Sequence, residues 1–437
     1  MSRFNGNLEK QYGIPTVSLA NENVVTFGIN AHAKYSTGMP LRFVGVPYPF
    51  TGLSEERLKN YLKEGKDNVT GKPVMKAIID ALTIPLTKAE TNPEAPPEPR
   101  LLPPDTEANL RRLFKDKGWT DYNPIILPTE ERVKKMLEGT SHDPNEIVKE
   151  ASGTFGTKRP FTVEKVAIIA VMAGAKPEYL PVILALSSQV PYVDSTTSSA
   201  RMVLINGPVR EEIGMNSSLG ALGPNAEANS VIGRSMDLIH KIIQGYKEGE
   251  SGFSSLSNPI LYNNLTIAEN EENLPEGWKP FHVQMGFKPE ESTLTVFFGW
   301  NFVNCSGSVV EHYAPQLLMR DFTRVLAATG AATLIMDPTV ADLLKNTQGF
   351  KTKEAFAEWL SKNAEIPAKI YWANSIVSGM QGPNSVQSWK NATNDTMIKH
   401  LKNPKMINTV VVGGKTASVW FIADFMPGRP VSIDAWR

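Results

Sequence analysis

The sequence predicts a mixed α/β protein with short, largely parallel sheets and a helical central region. Three observations carry this expectation. Strand-like β-branched runs alternate with helical patterns near both ends of the chain. Between Pro160 and Pro208, two apolar helical runs lead into a buried strand pattern. Gly and Pro, at 32 each among 437 residues, break the pattern into short elements and shaped loops.

Residues 1–90 read as a first α/β unit. IPTVSLA at 14–20 and LRFVGVP at 41–47 are strand patterns on either side of a helix around Val25–Tyr35, an order that favours a parallel pair. Helices then start at Ser54 and run from Pro73 to Leu82. Residues 91–159 form a proline-rich strap with short helices. The run ETNPEAPPEPRLLPP lacks many backbone donors and biases its neighbours to extended states, so it reads as a linker. Asp105–Gly118 and Thr129–Leu137 read as short helices, and Ser152–Arg159 as a polar loop.

Residues 160–277 form the helix-rich centre. Thr162 is placed to cap a helix through VAIIAVMAG, KPEYLPVILALSSQV supplies a second, and MVLINGP at 202–208 reads as a buried strand. Ala226–Tyr246 sets Val231, Met236, Leu238, Ile239 and Ile242 at helical spacing. Residues 278–437 are a C-terminal α/β segment. Strands are expected in FHVQMGF and STLTVFFGWNFV, then a helix over Pro315–Ala328 and a strand at 331–337. Helices at 338–345 and 352–362 and strands at 408–414 and 418–425 complete it.

Lys+Arg 45 against Asp+Glu 45 gives a formal net charge of +0, so no overall field recommends nucleic acid or an anionic membrane as partner. The apolar run Val166–Ala175 spans about half a bilayer. MSRFNGNLEKQYG has no signal-peptide pattern, and a cytoplasmic location is expected. One cysteine, Cys305, precludes an intrachain disulfide and every cysteine-cluster metal site. The Gly65–Lys72 and Val412–Thr416 stretches both fail the Walker spacing, and neither GxGxxG nor HExxH is present in a fitting context. No cofactor is predicted. The histidines and acids specify no ligand spacing, which leaves a divalent metal open.

Candidate chemistry concentrates in NGPVREEIGMNSSLGALGPNAEANSVIGR, from Asn206 to Arg234. Glycines permit turns denied to other residues, and free amides at a following helix start attract anions. Arg210 and Arg234 supply forked donors, while Asn216, Asn225 and Asn229 can fix polar substrate atoms. The competing reading has the glycines shaping a connection and the arginines pairing with Glu211, Glu212 or Asp237. Glu178 follows a Gly/Pro break between two apolar helices, where a partly desolvated carboxylate can serve in proton transfer; it can equally cap the second helix or pair with Lys165. His282 sits in a strand pattern, and Glu311 and His312 at a strand-to-helix transition. All three are acid–base candidates beside ordinary structural readings. Cys305 becomes a nucleophile if a histidine approaches it, and otherwise behaves as a small hydrophobe.

Several stretches carry a family likeness: GIPTV at 13–17, the G-x-P-x-R-F-V-x-V-P-x-P pattern from Gly38 to Pro49, AVMAGAKPEY from Ala170 to Tyr179, the segment ending at Arg234, and FKTKEAFAEWLSKNAEIPAKIYW from Phe350 to Trp372. In these the chain resembles the long-form relatives of the UGSC (seleno)protein family, loosely described as redox proteins. In that family a selenocysteine or cysteine, Gly-Ser and cysteine motif precedes the region resembled by Leu8–Pro15. Only MSRFNG stands there, and Ala175 occupies a position where the resemblance implies cysteine. A cysteine-pair mechanism within one chain is therefore not expected.

Two functional expectations follow. One is a cofactor-independent enzyme, a hydratase or dehydratase ahead of a hydrolase, that moves a proton on a small anionic or carboxylated metabolite as a homo-oligomer. The other is a noncatalytic or half-site subunit that works with a related polypeptide in a hetero-oligomer.

Overall fold

The computed structural model describes residues 5, 8–9, 11–21, 42–47, 54–68, 70–88, 99–150, 160–190, 198–246, 254–307, 313–326, 329–373 and 393–437. The expected helix around Val25–Tyr35, the Ser152–Arg159 loop and most of the proline-rich run lie outside these residues. The mixed α/β class holds.

In the N-terminal unit β1 (Ser18–Asn21) and β2 (Phe43–Val46) pair in parallel. Helices Glu55–Glu64 and Val74–Thr83 follow, and the Ser54 hydroxyl caps the first by accepting from Arg57 N. Val44, Val46, Val74 and Ala77 form their small core. Helices Glu107–Asp116 and Glu130–Leu137 begin at capping threonines, Thr106 and Thr129. Each such cap satisfies an N–H that the first helical turn leaves open.

The antiparallel pair β3 (Ile147–Lys149) and β4 (Phe161–Thr162) leads into helix Val163–Ala173, capped by Thr162 and closed by Gly174 at φ 92°. Helix Leu180–Gln189 follows. Both are apolar almost all round, so both are buried rather than amphipathic. They pack with helix Glu227–Leu238 against one face of a sheet through Val203, Ile205, Leu294 and Val296.

That sheet is built on β5 (Ala200–Asn206), buried along its whole length, with β6 (Thr266–Ala268) parallel to it and β7 (Thr293–Gly299) antiparallel. A second sheet contains β8 (Phe302–Gly307) and β9 (Ala332–Met336). After the small antiparallel pair β10 (Glu365–Pro367) and β11 (Met397–Lys399), β12 (Ile407–Val411) and β13 (Ser418–Ala423) complete it in the order β12-β9-β13-β8. The chain then returns to β7 as β14 (Met426–Pro427) and β15 (Val431–Ser432).

Parallel pairing is confined to β1–β2, β5–β6 and β9–β12 among the described strands. The sheets are mixed, which corrects the expectation of largely parallel ones. Between β12 and β13 only residues 412–417 intervene, fewer than the dozen or so that a parallel crossover needs. Accordingly β13 runs against β9 and β8.

The faces of the two sheets meet in one apolar cluster. Ala200, Met202, Leu204, Ile267 and Phe297 pack there with Ile335, Val410, Ala423 and Phe425. Beyond it, Leu334, Met336, Trp420 and Ile422 contact Phe356 and Leu360 of helix Lys353–Asn363. The order is helices, sheet, sheet, helix. Asn270 joins the sheets at one end: its N–H donates to Val411 O at 2.8 Å and its Nδ2 to Gly413 O at 2.8 Å.

Gly233 shows how tightly this frame is packed. A Cβ there would overlap Asn263 O, just ahead of β6, and Thr266 Oγ1 on its first residue. Gly233→Ala should destabilise the protein by about 1–3 kcal/mol, read as a lowered urea midpoint at unchanged slope; an unmoved midpoint would show that the helix can slide away.

Candidate functional site

The donors of the Asn206–Arg234 segment are spent within the protein. Arg210 is buried, and its Nε donates to Gly207 O at 2.9 Å, its Nη1 to Glu269 O at 2.6 Å and its Nη2 to Glu272 Oε1 at 2.8 Å. Burial opposes its charge, but Glu272, Glu271 and Glu269 outweigh that and hold the guanidinium above its usual range. Arg234 forks onto Asp121, with Nε–Oδ2 at 2.8 Å and Nη2–Oδ1 at 3.0 Å, and also reaches Pro124 O. Asn229 Oδ1 accepts from Asn216 N at 3.0 Å and its Nδ2 donates back to Asn216 O at 3.1 Å. The Asn216 and Asn225 side chains donate to Leu219 O and Gly220 O.

This corrects the expectation of an open anion cradle. It also corrects the alternative pairing: Arg210 meets Glu272 and Arg234 meets Asp121, while Glu212 pairs with Arg437. Asp121 lies 113 residues from Arg234 in sequence, so local reading could not identify it.

Glu178 faces solvent on the single turn Pro177–Tyr179 and is not the desolvated carboxylate expected there. Its neighbour Lys176 pairs with Glu227 at 2.6 Å, and Lys165 Nζ donates to Pro160 O. Cys305 lies on β8 opposite Trp420, and burial pushes its thiol up, the opposite of nucleophile activation. Glu311 and His312 lie outside the described residues.

His282 is on a helix, not on a strand. Pro280 at φ −53° sets the start, Gln284 N and Met285 N donate to Pro280 O and Phe281 O, and Gly286 at φ 96° ends the turn. The alternating apolar pattern of FHVQMGF is overridden by these two punctuating residues.

The short helix covers a buried polar cluster at the carboxyl ends of β5 and β6. Glu269, fully buried, accepts from Lys353 Nζ on Oε1 at 2.6 Å, and on Oε2 from Asn206 Nδ2 at 2.7 Å and Phe281 N at 2.7 Å. Glu271 Oε1 accepts from Asn206 Nδ2 at 2.9 Å and Gly207 N at 2.8 Å, and lies 3.2 Å from Arg210 Nε. Gly207 needs φ 85° to make this turn, and a side chain there would overlap Glu291 O. His282 Nδ1 stands 3.8 Å from Glu271 Oε1. His282 is 0 % exposed, yet neither of its ring nitrogens has a hydrogen-bond partner among the described residues. Asn206 Oδ1 is likewise buried and unpartnered among them.

A buried polar atom without a protein partner costs about 1–3 kcal/mol, and in native proteins such atoms mark water, ion or ligand positions. The cluster therefore combines a desolvated acid–base side chain, an adjacent carboxylate and open hydrogen-bonding capacity. Of the expected site residues it unites Arg210 and His282. Sequence reading missed Glu269, Glu271 and Lys353. The available signal was the acidic run AENEENLPEG directly after a buried strand, a position where a solvated charge run is out of place. Among the described residues no group of three or more His, Cys, Asp or Glu is arranged to hold a metal ion, and no described helix is long and apolar enough to cross a membrane.

A carboxyl with a raised pKa lies on the face of helix Glu227–Leu238. Burial raises Asp237 to about 6, against the pull of the buried Arg201 guanidinium and a hydrogen bond with Asn264. The folded state thus holds this proton more tightly than the unfolded chain, whose ordinary value is 3.8. Stability should fall as pH rises from about 4 through about 6. Asp237→Asn should flatten that fall in urea titrations across the same range; an equally steep fall would assign it to other groups.

Removing one partner of the buried ion pair should be costly. Lys353→Met leaves buried Glu269 without its cationic partner and is expected to cost about 3–5 kcal/mol. Pairing it with Glu269→Gln should recover a large part, as measured by a double-mutant cycle in urea; additive losses would show that the two groups are uncoupled. No family model, curated protein or solved structure matches this chain.

Proposed function

We propose that the chain is a cofactor-independent enzyme that moves a proton on a small polar metabolite, in hydration or elimination ahead of hydrolysis. The observation that carries this reading is His282, fully buried, with two unpartnered ring nitrogens and a carboxylate 3.8 Å away. An imidazole can take a proton from substrate at a free ring nitrogen, and the Glu271 carboxylate 3.8 Å away would balance the charge so formed. Glu269 and Lys353 hold the cover in place through Phe281 N and the start of helix Lys353–Asn363. The spent guanidinium donors withdraw support from a carboxylated substrate, so the metabolite is described only as polar. A reducing, cytoplasmic setting accords with the single cysteine, and a homo-oligomer related to the UGSC family belongs to the same proposal.

A noncatalytic or half-site subunit is the second reading. It is favoured by the internal consumption of Arg210, Asn229 and Arg234. Native mass of the protein purified from its source separates the two: a mixed assembly supports the subunit, a homomer the enzyme.

The direct test follows loss of C–H proton signals by NMR when the protein is incubated in D2O with a panel of small hydroxy acids, keto acids, aldehydes and polyols. Exchange into at least one compound is expected. His282→Asn should slow it at least about 100-fold while keeping the thermal midpoint near that of the parent. Absence of exchange across the panel, or undiminished exchange in the variant, would remove the enzyme reading.

A further inference from the structure

The cluster also specifies what it can accept. Register places Asn206 directly opposite Thr293, and Leu204 opposite Thr295, so Asn206, Thr293 and Thr295 lie on one face of the sheet. This is the face that carries Ala200, Met202, Leu204 and Phe297 into the contact between the sheets. Glu269 follows Ala268, the register partner of Ile205, and so continues the row beside Asn206. The Thr293 and Thr295 side chains are fully buried, and neither Oγ1 has a partner among the described residues. Asn206 Oδ1 and both nitrogens of His282, which is linked to Asn206 through Glu271 Oε1, bring the unmatched buried polar atoms to five.

Their hydrogen-bonding types define the complement. Each hydroxyl donates and accepts, Asn206 Oδ1 accepts only, and a neutral imidazole offers one donor and one acceptor. A ligand bearing both hydroxyl and carbonyl oxygens satisfies such a set. A carboxylate offers acceptors alone and leaves Asn206 Oδ1 unmatched. Charge points the same way. Glu269, fully buried, and Glu271, 12% exposed, face the two buried cations Lys353 and Arg210, and Glu272, half exposed, also pairs with Arg210 on its outer side. A negative charge introduced here would lose its hydration with no unspent cation to meet it.

Resting on the proton-transfer reading above, we infer that the row of Asn206, Thr293 and Thr295 beneath His282 binds an uncharged, oxygen-rich small molecule of the hydroxy-carbonyl or polyol class. Entry in this inference is through the Phe281–Gln284 turn, since Asn206, Thr293, Thr295 and His282 are closed to solvent.

The test uses the full chain labelled with 15N-histidine, with the His282 ring signals assigned by their loss in His282→Asn. Dihydroxyacetone and glycerol serve as uncharged probes, glycerate and lactate as charged ones. Dihydroxyacetone or glycerol should shift the His282 signals saturably and raise the thermal midpoint, and the charged pair should do neither. Thr293→Val, which keeps the side-chain shape and removes the hydroxyl, should weaken that response at least about tenfold. Asn206→Ser should weaken it as well. Stronger response to glycerate or lactate would overturn the inference, as would silence from all four, which would assign the unmatched atoms to internal water. The D2O panel keeps the two claims apart. Proton exchange confined to carboxylates removes the ligand class and leaves proton transfer standing, whereas binding of an uncharged probe without any exchange does the reverse.

Discussion

The fold around the candidate site depends on one buried ion pair. Placing Glu269 and Lys353 out of contact with water carries a desolvation cost of several kcal/mol per charge, which their attraction offsets only when the remaining lone pairs are also matched. Both Glu269 oxygens meet that condition, one through Lys353 and the other through Asn206 and the Phe281 N–H. Its carbonyl is taken by Arg210. One side chain thereby fixes the end of β5, the end of β6, the short helix over them and the first residue of a helix contributed by the far side of the second sheet.

That arrangement explains why polar groups terminate an otherwise apolar layer. Along β5 the residues facing the second sheet are Ala200, Met202 and Leu204, and the next in the alternation is Asn206. An aliphatic residue at 206 would leave the carboxylates of Glu269 and Glu271 each short of a donor. The polar row is a unit, in which each member is tolerable because the others are present.

Much of the fold is legible in the sequence because it is written locally. Ser54, Thr106, Thr129 and Thr162 announce helix starts within three residues of the N–H groups they cap. The uniformly apolar helices at 163–173 and 180–189 declare their burial. The site is less legible, since its contacts join residues far apart. Arg210 looks like a free donor until Glu269 and Glu272 are brought to it across 59 and 62 residues. Lys353 reads as the first residue of an ordinary amphipathic helix, and only the tertiary fold turns it inward. His282 misleads through its period, because two conformationally restricted neighbours decide its backbone before hydrophobic alternation can.

The double tether made by Asn270 has a mechanical meaning. With its main chain and side chain both anchored on the strand end at Val411 and Gly413, separating the two sheets at this end would sever both bonds. In the proposed binding, opening at the four-residue turn bearing the histidine leaves both of these bonds intact.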